Sequence, residues 1–183
     1  FPGNYGTKVG ILGAGMIGAR VIELLRPFEL DLYVFDPFLS DERAEVLGVK
    51  KASLEEIFET CHVISNHLAN KPETVGIIRR DLLSRMSEYA VFINTGRGAQ
   101  VDMTALIDEM RAHPKRLALL DVTDPEEPPR EDNPIYGVDN IIPLDENGKA
   151  NYTIPQMTAG DHSIVVVYPG DDTHDSKVVS QSI

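Results

Sequence analysis

An apolar run, Val9 to Leu12, stops at Gly13, and Gly15 and Gly18 follow at G-x-G-x-x-G spacing before a helical stripe of Ile17, Val21, Leu24 and Leu25. Strand, glycine turn and helix are the elements this order predicts. No other feature constrains the chain as much, because each glycine answers a different steric demand. The first permits the tight turn, the second lets a ligand approach the backbone, and the third allows the helix to pack closely on the strand. The amides of Met16 and Ile17 then lie at the positive end of the helix dipole, where an anionic group is favoured.

The same alternation continues for about 140 residues. Apolar runs at Leu32 to Phe35, His62 to Asn66, Ala90 to Thr95 and Leu117 to Val122 are separated by helical segments at Asp41 to Leu47, Arg80 to Met86 and Thr104 to Met110. A further helix carries Leu54, Ile57 and Phe58 and opens on Ser53, with Glu56 three residues later as in a capping box. Short buried strands joined by helices need right-handed crossovers, which gives a mostly parallel, doubly wound α/β sheet covered on both faces. After Val122 the rhythm stops. Pro125, Pro128, Pro129 and Pro134 mark an irregular acidic loop, and Asn140 to Ile142 read as one more short strand. Beyond Pro143 only extended segments are predicted, at Asn151 to Ile154, His162 to Tyr168 and Lys177 to Ile183. The expected organisation is therefore a domain over 1–142 and a short all-β appendage over 143–183.

Asp36 stands at the end of the second predicted strand, 23 residues after Gly13. A carboxylate there accepts both ribose hydroxyls of adenosine and repels a 2'-phosphate, and neither Lys nor Arg occurs from Pro37 to Ser40 to offset it. NAD is thus the expected cofactor, in preference to NADP. Folds that bind S-adenosylmethionine share the first half of this pattern and are the smaller competitor.

The series GAGMIG, FDP, SNHLANKPET, INTGRGAQVD and LLDVTDPEEPP, taken in order and spacing, resembles the nucleotide-binding domain of the D-2-hydroxyacid dehydrogenases over about residues 7 to 142. The resemblance implies a Rossmann-type domain that binds NAD and, in the complete enzyme, a second lobe closing over a 2-hydroxy or 2-oxo acid. It assigns the acid's carboxylate to Arg97, lining of the cofactor to Thr95 and Gly96, and the nicotinamide amide to Asp121. A guanidinium at the carboxyl edge of a sheet can grip a carboxylate in a bidentate manner, and the flanking Gly96 and Gly98 would suit close approach of a ligand. Glu126 occupies the spacing of the family's catalytic glutamate, whose task is to raise the pKa of a partner histidine.

That histidine is where the chain departs from the pattern. Pro143 is followed by Leu144, Asp145 and Glu146, so a carboxylate falls where the imidazole is expected. An ionised Glu146 accepts but does not donate, and it cannot relay a proton near neutral pH without a large shift. His67 is the nearest substitute. Lys71 replaces a small polar residue common in the family's loop. The family's substrate lobe is not recognisable here either, so the chain is expected to be a cofactor domain without independent turnover.

Residues 145–183 resemble instead the closing strands of bacterial immunoglobulin-like repeats, in ENGKANYTIP, TAGDHSIVVVYPGDD and SKVVSQSI. Charge divides at the same region: residues 1–120 carry a balance of -2 and residues 121–183 one of -10. Such a tail would be repelled by nucleic acid and by anionic lipid. It also supports a second reading of the chain, a non-catalytic interaction or surface module with a vestigial Rossmann domain. The start, Phe1 to Gly6, has neither part of a signal peptide and no initiator Met, so a fragment is expected. The single cysteine, Cys61, excludes an internal disulfide and a multi-thiolate metal site, and no metal site is expected at His113, His162 or His174. A cytoplasmic protein, capable of forming a homodimer as relatives of the first half do, fits these features.

Overall fold

Hydrophobic runs buried on both sides, of the kind just described, need neighbours on every edge and face. In the computed structural model they find them in one seven-stranded parallel sheet of order β3-β2-β1-β4-β5-β6-β7. The structure describes residues 5–125, 132–144, 163–168 and 177–182. The strands are β1 (Lys8–Leu12), β2 (Asp31–Phe35), β3 (Lys50–Lys51), β4 (Val63–Asn66), β5 (Val91–Asn94), β6 (Leu117–Leu120) and β7 (Ile141–Pro143). Between them run α1 (Met16–Leu25), α2 (Asp41–Leu47), α3 (Leu54–Thr60), α4 (Arg80–Leu83) and α5 (Met103–Ala112). This is the doubly wound, Rossmann-type α/β fold that the alternation predicts. The chain builds outward from β1 to β3, returns to β4 on the other side of β1, and builds outward again to β7. The reversal between β1 and β4 is the point where such sheets open a crevice at their carboxyl edge.

Local chemistry explains the helix boundaries. Ser40, Ser53 and Asp102 cap α2, α3 and α5 by accepting from the amides of Arg43, Glu56 and Ala105. Gly48 closes α2 in the left-handed conformation, φ 70°. Two apolar layers cover the sheet: one includes Ile57, Phe58, Ile64, Phe92 and Leu106, the other Ile11, Ile22, Val34 and Leu47. Among the described residues no helix is long and apolar enough to cross a membrane.

The stripe on α1 needs correction. The face against the sheet is Gly18, Ala19 and Ile22, with Val21 and Leu25 of the stripe packed partly buried beside it, while Ile17 and Leu24 are 64% and 56% exposed. Size alone misphased the helix. Its rotation is fixed at Gly18, where an added Cβ would collide with the carbonyl oxygen of Gly13 and come within 3.5 Å of Ile11. Cys61 ends α3, packed in the core beneath β1 at Gly10.

By contacts the chain divides into two compact units, Phe1–Asn151 and Tyr152–Ile183. In the second, β8 (Ser163–Tyr168) and β9 (Lys177–Ser182) pair antiparallel, Ser163 opposite Ser182 and Tyr168 opposite Lys177. They correspond to two of the three extended segments read from the sequence; Asn151 to Ile154 lies outside the described residues.

Candidate functional site

At the sheet's reversal the carboxyl ends of β1, β2, β4 and β5 enclose a cavity of about 970 Å³. Four segments line it, each the first stretch after a strand. From the β1 turn come Gly13, Gly15, Met16 and Ile17; from β2, Asp36 and Phe38; from β4, His67 and Lys71; from β5, Thr95, Gly96 and Arg97.

The three glycines of the turn are distinguishable in space. Gly13 has φ 90°, and a Cβ there would stand 2.9 Å from the carbonyl oxygen of His67. Gly18 is held against the Gly13 carbonyl and packs behind the cavity rather than lining it. Gly15 would place its Cβ in open space, with nothing within 4 Å. It is also the N-cap of α1 and supplies no side chain, and the first turn carries no acid. The leading amides of the helix, at Met16 and Ile17, are thus left to an outside acceptor.

Asp36 is tied to both neighbouring turns. Its Oδ2 accepts from the Ala14 amide at 2.8 Å and its Oδ1 from the Phe38 amide at 2.9 Å. Each oxygen keeps a second acceptor site, so the carboxylate can bind a diol while it fixes the glycine turn. Phe38 beside it is 84% exposed, and Lys71 Nζ sits 4.8 Å from its ring centroid. Arg43, from α2, lines the same end.

His67 is held at both ring nitrogens. Ser65 Oγ lies 2.9 Å from Nε2 and Thr95 Oγ1 lies 3.0 Å from Nδ1. Burial lowers its pKa below the ordinary 6.5. A neutral ring can serve one hydroxyl as donor and the other as acceptor. Arg97 projects from the turn after β5, exposed, with one hydrogen bond from its guanidinium, to the Gly96 carbonyl at 2.8 Å. It has no carboxylate partner among the described residues, and its remaining donors are open to an anion.

The flanking glycines answer to the protein's own packing as well. A Cβ on Gly96 would meet Gln100 Oε1 at 2.6 Å and Asn66 Nδ2 at 2.8 Å. One on Gly98 would collide with the Thr123 carbonyl and stand 2.6 Å from the Asp124 amide. Both are required by the protein's own packing, and Gly96 also lines the cavity. Asp121 follows β6, exposed, with its amide on the Asn94 carbonyl at 3.0 Å, and does not line the cavity. Glu126 and Glu146 lie outside the described residues. Sequence reasoning missed Phe38, Arg43 and the buried amides of Asn66, Asn94 and Gln100. The two asparagines left a trace, since β4 and β5 each end on one. Arg43 left none. Among the described residues no three His, Cys, Asp or Glu side chains gather where they could hold a metal ion.

Comparison with known proteins agrees with this geometry. The family model "D-isomer specific 2-hydroxyacid dehydrogenase, NAD binding domain" matches residues 2–144. The D-3-phosphoglycerate dehydrogenase of Archaeoglobus fulgidus is 34% identical over 137 residues, 75% of this chain and 26% of that protein. Among solved structures, a phosphoglycerate oxidoreductase from Vibrio cholerae superposes with a TM-score of 0.71 at 30% identity, covering 79% of this chain and 48% of that one. The NAD-dependent formate dehydrogenase of Staphylococcus aureus, in complex with NAD, gives 0.69 at 28% identity over 78% of this chain and 42% of its own. The chain spans about a quarter of the length of the first D-3-phosphoglycerate dehydrogenases it matches. A doubly wound sheet with an uncapped glycine turn, a strand-end aspartate and a family match from end to end of that sheet have one common explanation: the chain belongs to the D-isomer specific 2-hydroxyacid dehydrogenases, as their NAD-binding domain.

Proposed function

We propose that residues 1–142 bind NAD(H) across the cavity, as the cofactor half of an oxidoreductase acting on a small 2-hydroxy or 2-oxo acid. One observation carries the reading: the open face of Gly15, the free amides of Met16 and Ile17, and the carboxylate of Asp36 all border one cavity. The amides would take the pyrophosphate, and Asp36 the ribose diol. Bound nicotinamide would supply or accept the hydride. Thr95 and Gly96 would line the cofactor, and Arg97 would clamp the acid's carboxylate and polarise the neighbouring carbonyl. Asp121 would hold the nicotinamide amide at the far end, and Glu126 would tune an imidazole that this chain's sequence does not offer at the family's position. The chain by itself is expected to bind NADH and to reduce no 2-oxo acid.

Residues 143–183 form a separate β-rich piece in this reading. Their likeness to the end of an immunoglobulin-like repeat rests on the sequence, and the antiparallel pairing of β8 with β9 is compatible with it. A cytoplasmic homodimer formed through the nucleotide-binding half completes the proposal.

Titration of the full chain with NADH, followed by nucleotide fluorescence, tests the assignment. Asp36→Ala is expected to weaken binding at least tenfold. Because that change also removes two turn hydrogen bonds, Asp36→Asn is the companion: it retains one acceptor oxygen and should lose less. No saturable signal, or unchanged affinity in both variants, rejects the cofactor site.

A further inference from the structure

The two walls of the cavity that face α1, residues 67–74 after β4 and 95–97 after β5, are joined by a buried cluster of side-chain amides beneath them. Asn66 and Asn94 end adjacent parallel strands and are register partners, each 0% exposed. Asn66 Nδ2 donates to Asn94 Oδ1 at 2.9 Å and to Gln100 Oε1 at 2.8 Å. Gln100, 1% exposed, is where the walls meet. Its Oε1 also accepts from the Arg97 amide at 3.1 Å. Its Nε2 is directed at three acceptors of the other wall, the carbonyls of Leu68 and Ala69 at 3.2 and 3.0 Å and Thr74 Oγ1 at 3.2 Å. Donors surround one end of the carboxamide and acceptors the other, so its orientation is unique. The Arg97 carbonyl is gripped from the opposite side by Asn94 Nδ2, at 3.3 Å. None of the three amides lines the cavity.

We propose that Gln100 is a positioning residue, which locks the Arg97 turn and the 68–74 segment to one another and so sets the width of the cofactor cavity without touching the cofactor. The inference rests on the NAD(H) reading above and adds to it the part that holds the site's shape. An apolar residue at position 100 would fill the space but would leave the Leu68 carbonyl, the Arg97 amide and one hydrogen of Asn66 Nδ2 without partners, while the Ala69 carbonyl would keep only Thr74 Oγ1, and the walls would part to reach water. It also explains why position 96 must be glycine: a Cβ there would enter the hydrogen bond between Asn66 and Gln100.

Gln100→Glu in the full chain separates this role from mere packing. An ionised carboxylate has no hydrogen to give the Leu68 and Ala69 carbonyls; a protonated one regains a single donor, and burial favours the protonated form on mild acidification. We expect NADH to bind the variant at least tenfold more weakly than the unaltered chain at pH 8, and within about threefold of it at pH 5.5, read within minutes of mixing, with the far-UV spectrum native at both pH values. A folded Gln100→Glu chain that matches the unaltered one at pH 8, or that is equally impaired at both pH values, overturns the proposal. Gln100→Met, neutral and similar in volume, serves if the first variant does not fold. It should lose at least tenfold in affinity at both pH values, and unchanged affinity overturns the proposal. Absence of saturable binding by the unaltered chain would instead reject the cofactor reading beneath it.

Discussion

Two glycines three residues apart, Gly15 and Gly18, should fail in opposite ways when each is changed to alanine. At Gly18 the new methyl would fall on the Gly13 carbonyl oxygen, with the carbonyl carbon at 2.9 Å. Both atoms are backbone, so neither can rotate aside, and α1 must lift from the turn. Overpacking of this kind costs about 1–3 kcal/mol, here toward the upper end because the obstacle is rigid. Alanine's better helix propensity returns about 1 kcal/mol. The expected net loss is roughly 2 kcal/mol of unfolding free energy. At Gly15 the methyl meets nothing within 4 Å, and φ -65° with ψ -162° is open to alanine. There the stability cost is limited to the poorer N-cap, under about 1 kcal/mol. The methyl instead occupies the space through which a pyrophosphate would reach the amides, so NADH affinity should fall at least tenfold. Urea denaturation by circular dichroism and NADH titration, run on both variants, give the four numbers. The reasoning is refuted if Gly15→Ala binds NADH as the unaltered chain does, or if it is destabilised as much as Gly18→Ala.

Three further outcomes follow from other groups. His67 has its pKa lowered below 6.5 by burial, so the unfolded chain binds the proton more readily than the folded one. Stability should therefore be full above pH 6.5 and fall as the pH drops below it, and His67→Gln should flatten that slope in urea titrations at pH 7.5 and 5.0. Cys61 is 1% exposed and burial pushes its thiol up to about 11, so native protein should resist iodoacetamide at pH 8 and react on addition of urea. Native labelling as fast as that of unfolded chain would contradict the packing. Asp36 should also set nucleotide choice, with NADPH binding at least tenfold more weakly than NADH and Asp36→Ser narrowing the gap; equal affinities in the unaltered chain would show that Arg43 and Lys71 outweigh it.

Most of the fold was legible because parallel strands buried on both faces announce themselves as uninterrupted apolar runs. Val91 to Asn94 needs no partner to be recognised, and Ser53 marks a helix start through its own side chain. The α1 stripe misled because its apolar residues serve two surroundings: Ile22 meets the sheet, while Ile17 borders the cavity. Periodicity records hydrophobicity and cannot say what covers it. The packing role of the glycines at 96 and 98 was hidden for a related reason. Flanking an arginine, they suggest a ligand, and the atoms they also avoid belong to residues 66, 100, 123 and 124, brought there only by the tertiary structure. Gln100 was invisible on the same account, since nothing local separates a buried glutamine that joins two loops from an exposed one.

Strand order accounts for which strand-end residues meet. Every strand of a parallel sheet delivers its next residue to one edge, so Gly13, Asp36, His67 and Thr95 all arrive there, and Asp121 arrives with them. Distance along the edge then decides. β2 and β4 flank β1, and β5 is one strand further. β6 is third from β1, about 14 Å away at the usual spacing of neighbouring strands. Asp121 could therefore share a ligand with the glycine turn only if that ligand extends across β4 and β5. A mononucleotide seated on Gly15 and Asp36 would not reach it, whereas a dinucleotide laid along the edge would pass Thr95 and Arg97 on the way. The length of the ligand is in this sense written in the sheet order, and Asp121→Ala should weaken NADH while leaving AMP untouched.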